Sequence, residues 1–327
     1  MSTLAAPPQS ARTADQARRL LVGRDAPFSP EEGAAAIRAL ADQGDADALS
    51  ALATMRAAGA WTEHSWPEAM NTLQLAAELG SVEARSELLV LSPDRELSAR
   101  VRSGALRDAG RWRALKDSID LQAWVVPPVP VQVCDSPRVW TVEQFATPEL
   151  CEWLVARGRE RFKPALMRDA TTGVAAALDS RTCSDFVFDV LDGGIVLLLL
   201  RIKISNATSI PVPHMEPPQI FHYAIGEEIK PHHDFLFDGE TAYGPDRSYT
   251  GDRLATFLMY LNDGYEGGDL EFPLGDFRYK GQIGDGIFFA SQRDKKPDPN
   301  SLHGAGPVTR GEKFILSQWI HNQPFAA

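Results

Sequence analysis

The sequence predicts an α+β chain in which an all-α, repeat-like domain precedes a domain of short strands. Roughly the first 120 residues are rich in Ala and Leu with helical periodicity. An internal echo in this part, with a period of about 36 residues, indicates repeated helix pairs. From Gln219 onward, short strand-like runs alternate with Gly and Pro turns, which is typical of a sandwich, a barrel or a jelly roll.

The composition sets limits on the class of protein. The chain has 327 residues, and domains usually hold about 100 to 200, so two domains are expected. A content of 44% hydrophobic and 24% charged residues is typical of a globular protein. The formal net charge of -11 argues against nucleic acid or an anionic membrane as a partner. The densest apolar run, Ile195 to Leu200, is far shorter than the roughly 20 residues that span a bilayer.

The cysteines and the N-terminus predict the compartment. Cys134, Cys151 and Cys183 are too few and too widely spaced for a disulfide framework or a zinc knuckle. Residues 1–28 lack the apolar core of a secretory signal, and we interpret them as a flexible tail. We therefore expect a cytoplasmic protein.

Residues 29–120 form the predicted helical domain. Within it, 39–52 and 74–88 align at Gly44 with Gly80, and each copy reads as a helix end, a Gly turn, a capping residue and a new helix. The small-residue pattern resembles Sel1-type or tetratricopeptide-like repeats, which implies a scaffold for a protein partner or for self-association. A plain helical bundle with tightly packed Ala residues is the alternative.

A Pro-rich stretch, 121–138, is the predicted linker to a second domain, 139–327. There, 138–145 alternates like a strand, and 147–162 reads as a helix capped by Thr147. An apolar helix is expected from Phe186 through Ile204. The strand-like runs that follow are QIFHYAI, RLATFLMYLN, GDLEFP, DGIFFAS and EKFILSQWIHN.

Candidate metal ligands lie among these runs. His232 and Asp234 are two positions apart, which on a strand places both side chains on one face. His303 precedes a Gly-rich turn and supplies a third candidate. Two His and one carboxylate with open positions opposite form the facial triad of non-heme Fe(II) oxygenases. Taken alone, H-x-D is common, and a structural His–Asp hydrogen bond is the alternative.

Two more residues strengthen the oxygenase interpretation. Lys313 falls on a strand that would carry its ammonium into the interior, where it needs an anion such as a dicarboxylate cosubstrate. The hydroxyl of Tyr223 could donate to the other end of that cosubstrate.

Residues 139–323 resemble the prolyl 4-hydroxylase branch of the 2-oxoglutarate and Fe(II) dependent dioxygenases. The family's Y-x-x-G-x-x-Y-x-x-H-x-D run appears as YAIGEEIKPHHD, and its R-x-x-T-x-L-x-Y-L-N strand as RLATFLMYLN. Its G-G-x-T-x-F turn appears as GGDLEF, and its closing H-x-G-x-P-V-x-x-G-x-K segment as HGAGPVTRGEK. The order and spacing of these motifs make the resemblance specific.

The resemblance implies a fold, cofactors and roles. The fold is a double-stranded β-helix, a form of jelly roll, with helices backing one sheet. His232, Asp234 and His303 would be the catalytic iron ligands, and Lys313 and Tyr223 would bind 2-oxoglutarate, with O2 as the oxidant and ascorbate as a candidate reductant. Because the carboxylate of Asp234 is present, hydroxylation is favoured over halogenation.

Departures from the family pattern bear on the substrate. Ile229 stands where the family usually has a Tyr near the peptide groove, and Leu270 replaces a Thr beside the cosubstrate. Arg253, Trp319 and His321 match positions that approach a peptide in the family. Two predicted lids, 235–252 with Tyr243 and 167–183 with Arg181, could also contact the substrate.

Three functions remain open from the sequence. The first is an enzyme that hydroxylates a prolyl residue of a peptide or protein and releases succinate and CO2. The second is a hydroxylase of the same class acting on a free amino acid or natural product. The third is a non-catalytic oxygen or 2-oxoglutarate sensor that acts through its helical repeats.

Overall fold

The computed structural model describes residues 13–165, 167–168, 175–176, 182–189, 191–235 and 251–324. The chain divides into two compact units. The helical unit comprises Met1–Leu121 with Asp189–Leu199, and the strand unit comprises Gln122–Phe188 with Leu200–Ala327. In the ranges described, no helix is both long and apolar enough to traverse a bilayer.

The helical unit is built from consecutive short helices whose ends carry the expected capping residues. Its helices are α1 (Ala14–Val22), α2 (Pro30–Asp42), α3 (Ala46–Ala58), α4 (Trp66–Leu79), α5 (Val82–Leu91), α6 (Arg95–Arg102) and α7 (Arg111–Asp117). The predicted caps Asp45 and Ser81 accept hydrogen bonds from the first-turn N–H groups of α3 and α5. Gly80 ends α4 in the left-handed conformation that glycine adopts without strain.

A later segment also belongs to the helical unit. The unit includes Asp189–Leu199, and there the buried carboxylate of Glu87 accepts hydrogen bonds from the backbone N–H groups of Ile195 (2.7 Å) and Val196 (3.3 Å). These are first-turn groups of α10 (Gly194–Thr208), so Glu87 supplies an acceptor and a negative charge at a helix N-terminus.

The strand unit holds the remaining elements. Its helices are α8 (Leu121–Trp124), α9 (Pro148–Gly158) and the later turns of α10, with the side chain of Thr147 capping α9 as predicted. Its strands are β1 (Val131–Asp135), β2 (Arg138–Val142), β3 (Lys163–Pro164), β4 (Met167–Arg168), β5 (Ala175–Ala176), β6 (Ser184–Val187), β7 (Gln219–Tyr223), β8 (Ile229–His232), β9 (Arg253–Tyr260), β10 (Glu266–Gly267), β11 (Leu270–Phe272), β12 (Phe277–Tyr279), β13 (Gly286–Ala290), β14 (Gln292–Arg293), β15 (Lys296–Pro297), β16 (His303–Ala305), β17 (Val308–Arg310) and β18 (Lys313–His321).

Two antiparallel sheets form the jelly roll that the sequence predicts. The larger has the order β1-β2-β13-β9-β18-β7-β6-β3, and the smaller has the order β12-β11-β16-β8. Both sheets contribute to one apolar core, in which Phe221 and Ile315 come from the larger sheet and Phe272 and Ala305 from the smaller. The predicted ligands His232 and His303 lie on β8 and β16 of the smaller sheet.

The start of α10 corrects one element. A helix was expected from Phe186, but Phe186 and Val187 lie in β6, which pairs with β7, and α10 begins only at Gly194. A continuous apolar run does not distinguish a buried strand from a buried helix by periodicity. The predicted linker 121–138 includes α8 and β1, and β1 pairs with β2.

Candidate active site

The two histidines of the predicted triad meet across one pair of strands. His232 ends β8 and His303 begins β16, and they are register partners in the antiparallel ladder. Their ring centroids are 4.4 Å apart. Strand pairing therefore brings together two residues that are about 70 positions apart in the sequence.

Backbone carbonyls fix the orientation of both imidazoles. The Nδ1 atom of His232 lies 3.0 Å from the carbonyl oxygen of Lys230, and Nδ1 of His303 lies 2.9 Å from that of Ser301. Because a carbonyl only accepts, each Nδ1 carries the proton and donates, which leaves the Nε2 lone pair available. Such hydrogen bonds fix the tautomer and ring orientation of metal-ligating histidines.

Asp234 completes the cluster just beyond the end of β8. Its carboxylate oxygens lie 3.6 Å from Nε2 of His232 and 3.6 Å from Nε2 of His303. Burial alone would raise the pKa of Asp234, but positive charge on the two histidines, in the protonated form that they take without a metal, holds that pKa well below its ordinary value of 3.8. The hydroxyl of Thr256 donates to Oδ2 at 2.5 Å, a contact that the sequence analysis missed although Thr256 is the Thr of the R-x-x-T motif.

The three side chains fit a metal ion. One ligand atom from each lies within 4.8 Å of the others, and the group is largely buried. Two neutral imidazoles and one ionised carboxylate are the donor set expected for Fe(II), with positions left for other ligands. The predicted triad is thus assembled in space, although β8 ends before Asp234.

Lys313 and Tyr223 face each other in the larger sheet. They are register partners of β18 and β7, and the Lys313 ammonium lies 5.3 Å from the centroid of the Tyr223 ring. Lys313 is 3% exposed and donates to the carbonyl oxygen of Gly268 at 2.7 Å. Burial lowers the pKa of Lys313 from 10.5 to about 8. A dicarboxylate would supply the counter-charge that this buried ammonium needs.

One cavity joins the metal ligands to Lys313. Leu270 and Ile229, the two departures from the family pattern, both line it. The cavity is lined by Phe221, Tyr223, Ile229, His232, Asp234, Thr256, Leu258, Leu270, His303, Gly304, Ala305, Lys313, Ile315, Ser317 and Trp319. An apolar wall with few polar groups is the usual character of a small-molecule site.

A buried carboxylate that the sequence analysis missed organises the predicted substrate residues. Glu216 is 0% exposed and binds Arg253 through both carboxylate oxygens, at 2.6 and 3.1 Å. It also lies 2.7 Å from Nε2 of His321. The Arg253 guanidinium stacks 3.8 Å from the ring centroid of Trp319, which lines the cavity. Arg253 and His321 thus form one network with Glu216, whose only sequence signal is its place between Met215 and a pair of prolines.

Two predicted substrate residues, Tyr243 and Arg181, lie outside the described residues, as do most of the two predicted lids.

Comparison with known proteins agrees with this geometry. Residues 218–321 match the family model of the 2OG-Fe(II) oxygenase superfamily. Prolyl 4-hydroxylase 1 of Arabidopsis thaliana is 34% identical over 233 residues, which cover 67% of this chain and 80% of that protein. The chain belongs to the prolyl 4-hydroxylase branch of the 2OG-Fe(II) oxygenase superfamily.

Other members of the superfamily show similar coverage. Probable prolyl 4-hydroxylase 3 of Arabidopsis thaliana is 31% identical over 206 residues, covering 57% of this chain and 69% of that protein. The viral collagen prolyl hydroxylase of Paramecium Bursaria Chlorella virus-1, solved with 2OG, aligns with a TM-score of 0.41 and 23% identity. That alignment covers 57% of this chain and 98% of the viral chain.

Membership of the 2OG-Fe(II) oxygenase superfamily confirms the predicted cofactors and the prediction of an enzyme. Fe(II), 2-oxoglutarate and O2 are the cofactors of this family, and the residues that would bind the first two are in place. The non-catalytic sensor is therefore set aside. The type of the helical repeats and the partners they bind stay predictions.

Proposed function

We propose that this oxygenase hydroxylates a prolyl residue in a peptide or protein. The observation that carries the proposal is the joining of the His232, Asp234 and His303 cluster to the buried ammonium of Lys313 by one cavity. The names of its relatives, prolyl 4-hydroxylases, support prolyl groups as the substrate.

The chemistry of the bound cofactors is hydroxylation of an unactivated C–H bond coupled to the conversion of 2-oxoglutarate and O2 to succinate and CO2, with ascorbate as a candidate reductant. The chain's residues hold and orient the reactants. His232, Asp234 and His303 would hold the metal, since one ligand atom from each lies within 4.8 Å of the others. The Lys313 ammonium would pair with a carboxylate of 2-oxoglutarate, and the Tyr223 ring lies beside that ammonium.

The substrate end of the cavity suits a ring. Trp319 offers a flat apolar wall there, and its ring is held by the Arg253 guanidinium, which Glu216 fixes in turn. We propose that Trp319 contacts the prolyl group. Arg253 positions the Trp319 ring, and Glu216, which also contacts His321, holds Arg253 in place.

A second candidate is hydroxylation of a free amino acid or natural product. Ile229 favours it, because an aliphatic side chain lines the cavity where the family usually presents a Tyr hydroxyl. Replacing Ile229 with Tyr should raise activity on prolyl peptides if the first proposal is right. Unchanged or lower activity with Ile229→Tyr would favour the small-molecule substrate.

The deciding experiment measures succinate release by the iron-loaded full chain with proline-rich peptides, free amino acids and cell lysate in turn. Mass spectrometry of the products locates a gain of one oxygen. Asp234→Ala is the control, since it removes a metal ligand. Peptide-stimulated succinate with hydroxyproline in the product, both lost in Asp234→Ala, supports the proposal. Stimulation by free amino acids alone would replace the peptide with a small molecule.

A further inference from the structure

We propose that the helical unit carries a docking groove for an acidic, extended segment of a partner protein. The groove is formed by Arg85, Arg102, Arg107, Arg111, Trp112 and Arg113, and we call it the arginine groove. It lies wholly within the helical unit, so the proposal does not depend on which substrate the oxygenase hydroxylates.

The charge of this part of the chain runs against that of the whole. Between Arg95 and Lys116 there are seven Lys and Arg residues and two acidic residues, a net charge of +5, whereas the chain as a whole carries -11. A basic patch on an otherwise acidic protein attracts anions to that patch, while the acidic remainder of the surface repels them. This pattern indicates a local anionic partner.

The arginines surround two adjoining open cavities of about 570 and 480 Å³. Arg107, Arg111 and Trp112 line both cavities, Arg113 lines the larger and Arg102 the smaller. The three shared lining residues make the two cavities adjoining parts of one site, whose volume suits a segment of several residues better than a compact ion.

Within the described residues, the hydrogen bonds of the guanidinium groups in the arginine groove go to backbone carbonyls. Arg107 donates to the carbonyl oxygen of Gly104 at 2.9 Å, and Arg111 donates to those of Arg107 and Asp108. Across the described ranges, no carboxylate forms an ion pair with Arg102, Arg107, Arg111 or Arg113. Among the described residues that line the two cavities, Glu78 is the one acid, and its carboxylate already accepts from Gln74. The remaining guanidinium N–H groups of these arginines are therefore available to the carboxylates of a partner.

A second observation points to a ligand at the same place. Trp112 is 5% exposed, and its indole Nε1–H is buried and has no acceptor within the part of the chain described. The guanidinium groups of Arg85 and Arg111 lie 5.3 and 5.0 Å from its ring centroid. A buried donor without an acceptor is costly, and an oxygen-rich ligand would satisfy it.

Carboxylates of a protein segment fit this groove better than nucleic acid does. Outside the stretch from Arg95 to Lys116 the chain is even more acidic than on average, and a long polyanion would meet that charge on leaving the groove. A short run of Asp and Glu places its charge only where the arginines are.

The test is binding of a fluorescent octapeptide rich in Glu and Asp to the full chain, measured by anisotropy without iron or 2-oxoglutarate. The same peptide with Gln and Asn in place of the acids is the matched ligand control. We expect the acidic peptide to bind at least about tenfold more tightly than the amide peptide, and salt at about 0.5 M to remove most of the difference. Equal binding of the two peptides would overturn the proposal.

Variants locate the site. Arg107→Gln should weaken acidic-peptide binding several-fold, and the double variant Arg107→Gln/Arg113→Gln about tenfold or more. The matched control is Arg38→Gln, since Arg38 is also exposed and also donates to one backbone carbonyl, that of Trp61. Thermal unfolding checks that each variant folds. A loss of binding equal in Arg38→Gln would place the peptide elsewhere and refute the arginine groove.

Competition separates the sources of negative charge. Inorganic phosphate and a single-stranded oligonucleotide are added against the bound peptide. Weak displacement by both supports a protein segment as the occupant. Displacement by the oligonucleotide at lower concentration than unlabelled peptide would show a nucleic-acid site instead and overturn the assignment. Turnover of prolyl peptides is measured separately, so failure of that activity leaves this result intact.

Discussion

At the scale of single residues, Lys313 joins the fold to the chemistry. Its ammonium is buried among tyrosine rings, and no carboxylate of the described residues forms an ion pair with it. Burying an ammonium without a counter-ion costs free energy, and pairing with an anionic substrate would offset that cost. The same burial gives it a pKa near the physiological range, which makes the role testable by pH.

We expect the KM for 2-oxoglutarate to depend on the protonation of Lys313. Burial lowers the pKa of Lys313 to about 8, so its ammonium is charged below pH 8 and neutral above it. The free enzyme should therefore bind the cosubstrate tightly below pH 8 and lose affinity as the pH rises through that value. Above it, KM should rise by up to about tenfold per pH unit. Steady-state kinetics between about pH 6.5 and 9.5 measure this.

Lys313→Arg is the control for the pH dependence. A guanidinium stays protonated throughout the range, so its KM should be higher at neutral pH and flat with pH. A flat KM in the unmodified enzyme would show that the Lys313 charge does not bind the cosubstrate.

Thr256 is a second residue with a predicted effect. Thr256→Val keeps the side-chain shape and removes the hydrogen bond to Asp234. Partners of metal ligands typically contribute about 10 to 100-fold in metal affinity, so we expect Fe(II) to bind at least about tenfold more weakly. Anaerobic titration measures it. Thr256→Ser retains the hydroxyl and should bind iron nearly as well as the unmodified protein; equal weakening in both variants would assign the effect to packing.

Residue types and spacing predicted that His232, Asp234 and His303 lie together and that Lys313 is buried, because metal and carboxylate binding require particular chemical groups. Glu216 and Thr256 were missed because their roles depend on which strands pair. Glu216 is defined by its contacts with Arg253 and His321, which come from two other parts of the chain.

At the scale of elements, the contact between the Glu87 carboxylate and the N-terminus of α10 requires a particular residue, glycine, at position 194. Gly194 has φ +54°, and a Cβ built there would lie 2.3 Å from a carboxylate oxygen of Glu87. Glycine thus both adopts the left-handed conformation and lets the carboxylate approach the helix N-terminus.

We expect Glu87→Ala to destabilise the helical unit by roughly 2 to 3 kcal/mol, because the N–H groups of Ile195 and Val196 lose their buried acceptor. The measurement is the urea midpoint of full-length protein by circular dichroism. Glu96→Ala removes an exposed acid from α6 and should change stability by no more than about 0.5 kcal/mol. A similar loss in both variants would contradict the capping role.

Strands with alternating or bounded patterns were predicted well, and all five predicted runs from Gln219 onward contain a strand. The helix from Phe186 was wrong in its first part. The run FVFDVLDGGIVLLLL contains both a strand residue pair and a helix start, and only pairing of β6 with β7 separates them. Local apolar content cannot encode that long-range choice.

At the scale of the whole molecule, the chain enters the helical unit twice. The second visit, Asp189–Leu199, comes from the middle of the sequence that follows β6. Five of its apolar residues are buried: Leu191, Ile195, Val196, Leu197 and Leu199. The boundary between units is thus not a single cut in the sequence, which composition shifts cannot reveal.

We expect a chain cut before residue 122 to fold poorly. Removing 1–121 strips Asp189–Leu199 of its helical partners and exposes its apolar side chains to water. Expression of 122–327 should give mostly aggregated protein, with increased binding of an apolar dye in any monomer recovered. Recovery of a monomer with the full chain's thermal midpoint would show that this segment does not need the helical unit.

The pairing of His232 with His303 has a consequence for how this site tolerates change in length. The ladder fixes which residue faces which, and a change in the length of a flexible loop between them enters through loop closure, which costs about 0.6 kcal/mol per doubling. Loops between the two strands can therefore grow or shrink at little cost to the metal site. A shift of β16 by one position is different in kind, since it turns the imidazole of His303 to the opposite face of the sheet. The metal site thus tolerates changes in loop length between the two strands, but it does not tolerate a one-residue shift in the register of β16.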